Sequence, residues 1–173
     1  MSNEQLVYTI ETNSAAATFA LGQRLGQHLR SGQVIALHGD LGAGKTVLTQ
    51  GIAAVLGINA RVTSPTFTLV SEYVRPSGDL LIHIDCYRLG SPDQNDGALE
   101  AAFFGLDEIV DRRDAIVIIE WAERVASLLP SDYLEITLRY ANVTPDHRQI
   151  HCLAHGPLSA LVIAGLQTEK LVK

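Results

Sequence analysis

A chain of 173 residues, 47 % hydrophobic and 18 % charged, has the size and balance of one folded domain spanning 1–173, with no low-complexity tract. Its 19 acidic residues outnumber its 13 Lys and Arg, and a formal net charge of −6 argues against a protein that grips nucleic acid on its own, which needs a basic face. The opening Met1-Ser2-Asn3-Glu4-Gln5 lacks the layout of a secretory leader, no apolar run nears the roughly 18 residues of a membrane span, and two cysteines are too few for a disulfide scaffold, so the expectation is a cytoplasmic protein without a membrane partner.

In chain order, Ser14 to Arg30 carries Phe19, Gly22, Leu25 and Leu29 near helical spacing, with Thr12, Asn13 or Ser14 as candidate caps and Gly32 as the stop. Val34-Ile35-Ala36-Leu37 reads as a buried parallel strand. Thr46 to Leu56 reads as a helix ended by Gly57, and Thr68 to Tyr73 and Leu80 to Asp85 as strands joined by the turn Pro76-Ser77-Gly78-Asp79. Gly90 to Gly97 is loop-like, and Ala98 to Val110 is helical material broken at Gly105. Ala115 to Ile119 is a core strand running into Glu120-Trp121. Tyr133 to Tyr140 and Arg148 to Ala154 are later strands, followed by a helix from Leu158. Such alternation predicts an α/β fold: a three-layer sandwich around a mostly parallel central sheet with some antiparallel strands.

Between the strand at Val34 and the helix at Thr46 stands Gly39-Asp40-Leu41-Gly42-Ala43-Gly44-Lys45-Thr46, a full match to G-x-x-x-x-G-K-[ST]. Glycines let successive backbone N–H groups curl around an anion, and the following helix turns its positive end to the phosphates. In such a loop Lys45 reaches the β- and γ-phosphates and the Thr46 hydroxyl ligates Mg²⁺, which predicts a nucleoside triphosphate site.

A phosphate loop needs a carboxylate at a nearby strand end to hold the metal. Asp85 closes Leu80-Leu81-Ile82-His83-Ile84 and suits that role; a turn contact is its plainer alternative. Glu120 closes Ile116-Val117-Ile118-Ile119, where it can orient the attacking water or complete the Mg²⁺ shell; a solvated strand end is its plainer alternative. Thr63-Ser64-Pro65-Thr66 lies where switch loops sense a γ-phosphate, although a turn rich in hydroxyls is common everywhere. Strand alternation turns Trp121 away from the Glu120 side chain, leaving it either a core or interface anchor or a neighbour of the nucleotide. His147, His151, Cys152 and His155 match no common zinc spacing, and Cys86 and Cys152 read as small buried hydrophobes.

Taken together, the loop Gly39 to Thr46, Ser64-Pro65-Thr66-Phe67-Thr68-Leu69-Val70, His83-Ile84-Asp85-Cys86-Tyr87-Arg88-Leu89 and Ile119-Glu120-Trp121-Ala122-Glu123 resemble the ordered signatures of the TsaE (YjeE-like) family. That family supplies the ATPase subunit of the bacterial machinery that makes threonylcarbamoyladenosine in tRNA. The resemblance implies a P-loop NTPase fold, ATP and Mg²⁺ as cofactors, and TsaB and TsaD as partners. It implies tRNA met only through the complex, with transfer performed by TsaD and not by this chain. By position it puts Thr46, Asp85 and Glu120 around Mg²⁺ and the attacking water, Lys45 on the phosphates, Thr66 in a switch-like loop, Trp121 close to the nucleotide, and the backbone near Ser14 at its adenosine end.

Departures are small: Val47 where a second Thr is usual, Cys86 for a leucine, and Ala122 for a frequent proline. None removes a functional group. The region after Tyr140 carries the least distinctive matches. Two other function classes stay open on the residues alone: a stand-alone small-molecule kinase using Arg88, Arg112 or Arg113, and a nucleotide-gated binding switch. The lack of an Asn-Lys-x-Asp guanine motif favours adenine.

Overall fold

The most continuously apolar segments form the middle of a sheet, as expected of strands covered on both faces. In the computed structural model, which describes residues 6–90, 97–141 and 144–169, seven strands make one sheet. They are β1 (Val7–Thr12), β2 (Val34–His38), β3 (Val70–Val74), β4 (Leu80–Asp85), β5 (Ala115–Glu120), β6 (Leu134–Tyr140) and β7 (Arg148–Ala154), in the spatial order β1-β7-β6-β2-β5-β4-β3. Neighbours β4, β5, β2 and β6 run parallel. Antiparallel β3 flanks them on one side, and β7 with β1 on the other. The helices are α1 (Ala15–His28), α2 (Lys45–Val55), α3 (Ala98–Phe103), α4 (Leu106–Val110) and α5 (Pro157–Glu169), with a 3₁₀ stretch over Ala122–Leu128. Among the described residues no helix is long and apolar enough to cross a membrane.

Alternation along the buried strands sorts side chains into two cores, one on each face. Ile35, Leu37, Leu81, Ile116 and Ile118 meet Leu25 of α1, Leu48 and Ile52 of α2, and Val162 and Leu166 of α5. Val34, Ala36, Ile82, Ile84, Val117 and Ile119 meet Ala101 of α3, Leu106 of α4 and Val125 of the 3₁₀ stretch. These are the three layers that the sequence predicts. The same parity puts His83 and Asp85 on the face of Leu81, and Glu120 on the face of Ile118. Both carboxylates are thereby aimed toward α2 before any other force acts on them.

Of the three candidate caps for α1, Ser14 fills the role: its Oγ accepts from the Ala17 amide at 3.1 Å. β3 begins at Val70, not Thr68, because Pro65 O takes the amides of both Thr68 and Leu69, a turn that leaves Leu69 left-handed at φ 68°. Strand β1 has no counterpart in the sequence reading. It is half polar and lies at the sheet edge, where exposed Val7 and Thr9 alternate with buried Tyr8 and Thr12 only roughly. The loop expected over 90–97 lies, apart from its two ends, outside the described residues.

α1 crosses α2 at a seam of glycines. A Cβ on Gly51 would collide with the Phe19 carbonyl oxygen and stand 3.0 Å from Gly22 Cα, and one on Gly22 would collide with the Leu48 carbonyl oxygen. Both obstacles are backbone and cannot swing aside. Gly51→Ala is therefore expected to destabilise the fold by about 2 kcal/mol, the scale of overpacking, lowering Tm by roughly 4–8 °C in a thermal melt. An unchanged Tm would mean that the seam relaxes freely.

Candidate functional site

The residues 39–46 link the end of β2 to the first turn of α2, at the carboxyl edge of the parallel strands, where α/β sheets place their ligands. Gly44, left-handed at φ 105°, is the cap residue of α2, and no side chain caps that helix. Its first turn therefore presents backbone N–H groups and the positive end of the helix dipole, with no acidic residue to cancel it. At the other end of the loop Gly39 has no room for a Cβ, which would strike the Leu138 carbonyl of β6.

Lys45 is buried, and its ammonium folds back to donate to the carbonyl oxygens of Gly39 and, at 3.0 Å, Asp40. Nζ also lies 3.9 Å from the centroid of the Trp121 ring. Burial pulls the Lys45 pKa below its ordinary value, against the surrounding charges of Glu120, Glu123, Asp85 and Asp40, which favour the charged form. The pocket thus holds a desolvated cation whose hydrogen bonds go to neutral oxygens.

Asp85 and Glu120 are register partners across β4 and β5, and both are buried. Glu120 Oε1 accepts from Thr46 Oγ1 and from His83 Nε2, each at 2.8 Å. Asp85 gathers the loop that precedes β3. Its Oδ2 accepts from Ser64 Oγ and, at 2.7 Å, from Thr66 Oγ1, and its Oδ1 accepts from the Tyr87 amide at 2.9 Å. The loop 63–66 is thus tied by two hydroxyls to the carboxylate that sequence reasoning selects for the metal.

Trp121 departs from simple strand alternation. The strand ends at Glu120, and Trp121 takes a left-handed backbone, φ 58° and ψ 42°. Trp121 packs against the second core and also lines the loop cavity, so the turn away from the Glu120 side chain that alternation predicts does not keep it out of the site. Tyr87 stands beside it, with ring centroids 5.0 Å apart. Farther down the 3₁₀ stretch, burial would raise the Glu123 pKa, but a hydrogen bond to His38 at 3.1 Å and the charges of His38 and Lys45 hold it below its ordinary value.

The cavity, about 340 Å³, is bordered by the loop from Leu41 to Thr46, by Ser64 and Thr66, by Asp85 and Glu120, and by Tyr87 and Trp121. It brings together Leu41, Gly42, Ala43, Gly44, Lys45, Thr46, Thr66, Asp85, Glu120 and Trp121 of the expected set. Gly39 and Asp40 contribute the carbonyls that Lys45 holds. Ser14 is not among the lining residues, and its hydroxyl is engaged in capping α1; from that helix Thr18 Cγ2 lies 3.6 Å from a Cβ position at Gly44. Sequence reasoning quotes Ser64 and His83 only within longer motifs, as groups without roles. The signal for His83 was its parity with Asp85 along β4.

The donor set suits Mg²⁺: one hydroxyl and two carboxylates, all hard oxygens, beside a loop with the G-x-x-x-x-G-K-[ST] pattern. Away from this site, His147 bonds Glu11, His151 bonds Thr9, and His155 bonds Glu135 while stacking on Tyr133. Each histidine has its own partner.

Comparison with known proteins gives one answer. Residues 12–150 match the family model described as threonylcarbamoyl adenosine biosynthesis protein TsaE. A tRNA threonylcarbamoyladenosine biosynthesis protein TsaE of Mycobacterium tuberculosis (strain H37Rv) is 42 % identical over 123 residues, 70 % of this chain and 72 % of that protein. The protein of the same name from Haemophilus influenzae is 35 % identical over 137 residues, 79 % of this chain and 80 % of its own length. A crystal structure of Bacillus subtilis YdiB superposes with a TM-score of 0.78 at 29 % identity, covering 98 % of this chain and 99 % of that one. With a family model spanning most of its length and relatives of this similarity, the chain belongs to the TsaE family.

Proposed function

We propose that this chain binds ATP with Mg²⁺ and hydrolyses it as the ATPase subunit of the machinery that makes N6-threonylcarbamoyladenosine in tRNA. In this reading it acts with TsaB and TsaD and does not perform the transfer itself. The observation that carries the reading is the convergence of Thr46, Asp85 and Glu120 at the mouth of the phosphate loop. A phosphate-binding loop alone argues for an anion; two buried carboxylates beside it argue for a metal and a positioned water.

The roles follow from the groups present. The amides of Gly42, Gly44, Lys45 and Thr46 are the ones offered to the β-phosphate, that of Ala43 being spent on the Asp40 carbonyl at 3.1 Å. Lys45 exchanges its two neutral carbonyl partners for charged phosphate oxygens, the stronger acceptors. When bound, Mg²⁺ would supply neutralisation of the phosphate charge. Thr46 and Asp85 would hold it, and Glu120 would accept a proton from the water whose oxygen bonds the γ-phosphorus as ADP leaves. His83 and Thr46 fix the Glu120 carboxylate from two sides, so it needs little reorganisation. The Ser64 and Thr66 hydroxyls on Asp85 make loop 63–66 sensitive to whatever occupies the metal position. The net charge of −6 leaves tRNA to the partners.

The test is phosphate release from ATP by the pure chain, with and without TsaB and TsaD. Slow turnover alone and stimulation by the partners are expected. Turnover that is fast alone and indifferent to them would overturn the subunit role, and phosphorylation of an added small acceptor would replace it with a kinase.

A further inference from the structure

A loop that turns its N–H groups inward to an anion must turn carbonyls outward, and each such carbonyl needs a donor or water. From Gly39 to Ala43 every carbonyl is accounted for. Lys45 serves Gly39 and Asp40. Tyr140 Oη donates to Leu41 O at 3.0 Å. Arg148 donates from Nη2 to Gly42 O at 3.3 Å and from Nε to Ala43 O at 3.1 Å. The remaining Arg148 nitrogen, Nη1, donates to the carbonyls of Pro145 and, at 3.0 Å, His147, which anchors the guanidinium to its own strand entry.

Tyr140 and Arg148 are opposite one another in register, the last residue of β6 and the first of β7, and the guanidinium lies 4.1 Å from the Tyr140 ring centroid. The pair thus stacks at the end of an antiparallel hairpin and reaches a loop about a hundred residues earlier in the chain, with separations of 99 and 105. Lys45 leaves its two carbonyls if it turns to phosphate. Asp40 O then keeps the Ala43 amide, at 3.1 Å, and the other three stay held by Tyr140 and Arg148.

We propose that Tyr140 and Arg148 form a brace that fixes the outer carbonyls of the phosphate loop, keeps its amides aimed inward before nucleotide arrives, and thereby sets nucleotide affinity. The proposal rests on the reading of that loop as a triphosphate site. It gives a positioning role to the end of β6 and the start of β7, a region to which the motifs assign nothing. Arg148 acts through the backbone and does not touch phosphate, which separates it from a second phosphate-binding cation.

Two measurements on the full chain test it: amide hydrogen exchange of peptides covering 39–46 without nucleotide, and the Kd for Mg·ATP. Arg148→Ala is expected to speed exchange in the loop and to raise Kd about tenfold, the scale of one or two lost charge-assisted hydrogen bonds. Its rise in KM exceeds its fall in kcat, because the brace acts on binding more than on the chemical step. Tyr140→Phe, which removes one hydroxyl and keeps the ring under the guanidinium, is expected to do the same to a smaller degree, about threefold, and guards against a folding defect in the first variant. Loop exchange unchanged in both variants overturns the brace, as does faster exchange with an unchanged Kd. Full rescue by Arg148→Lys overturns it too, since lysine restores charge without the two-pronged geometry. If the wild-type chain binds no ATP while loop exchange still rises in the variants, the triphosphate reading fails and takes the affinity role with it, while the bracing of the loop itself stands.

Discussion

Lys45→Ala is expected to lose ATP hydrolysis by at least about a hundredfold, the cost of removing one preorganised charge from a phosphoryl-transfer site. Among the described residues two neighbouring arginines are engaged elsewhere. Arg148 is engaged on backbone carbonyls behind the loop, and Arg88 lies over the Phe67 ring at 5.3 Å. The same variant is expected to fold at least as well as the wild type, with Tm not lowered by more than about 2 °C. Burial disfavours the Lys45 ammonium, so its removal relieves a cost as well as two hydrogen bonds. Phosphate release and a thermal melt on the same sample check both halves. Activity retained within about threefold would show that Lys45 is a structural cation and not a phosphate ligand.

Glu120→Gln separates binding from chemistry. The amide has nearly the shape of the carboxylate, and its oxygen can still accept from Thr46 and His83. It cannot take a proton from water. Hydrolysis is expected to fall by about 10²–10⁴-fold, the usual contribution of a general base, while the Kd for Mg·ATP, followed through the emission of Trp121, changes by no more than about fivefold. A parallel loss of affinity would move Glu120 from proton acceptor to essential metal ligand. Hydrolysis near the wild-type rate would remove it from the reaction altogether.

Legibility in the sequence followed the range of the forces involved. The phosphate loop is contiguous, so its eight residues carry their own geometry. Asp85 and Glu120 were readable because each ends an apolar strand, and parallel strands put their ends at one edge. Period-two alternation even determines which face they share, although that needs the pairing Asp85↔Glu120, which no local pattern supplies. What alternation could not foresee was Trp121, because the rule stops where the backbone turns left-handed. Strand β1 escaped because an edge strand with one exposed face needs few apolar residues. The contacts of Tyr140 and Arg148 with the loop were illegible for a different reason: they join side chains to backbone carbonyls, and a carbonyl has no letter in the sequence. The family resemblance supplied what residue chemistry did not, the connection to tRNA modification.

Both cysteines of the chain are wholly enclosed, and burial pushes each thiol up to about 12, for Cys86 with the help of the neighbouring Asp85 charge. Alkylating reagents attack thiolates, so the folded protein should stay silent to maleimide at neutral pH. A single cysteine placed on an exposed side chain such as Leu99 or Phe67 would then be the one reactive point, and a dye could be attached there with the native sequence otherwise intact. Cys86 directly follows Asp85 but packs in the core on the opposite face of the sheet, so its slow modification would act as a built-in clock for how often that core comes open.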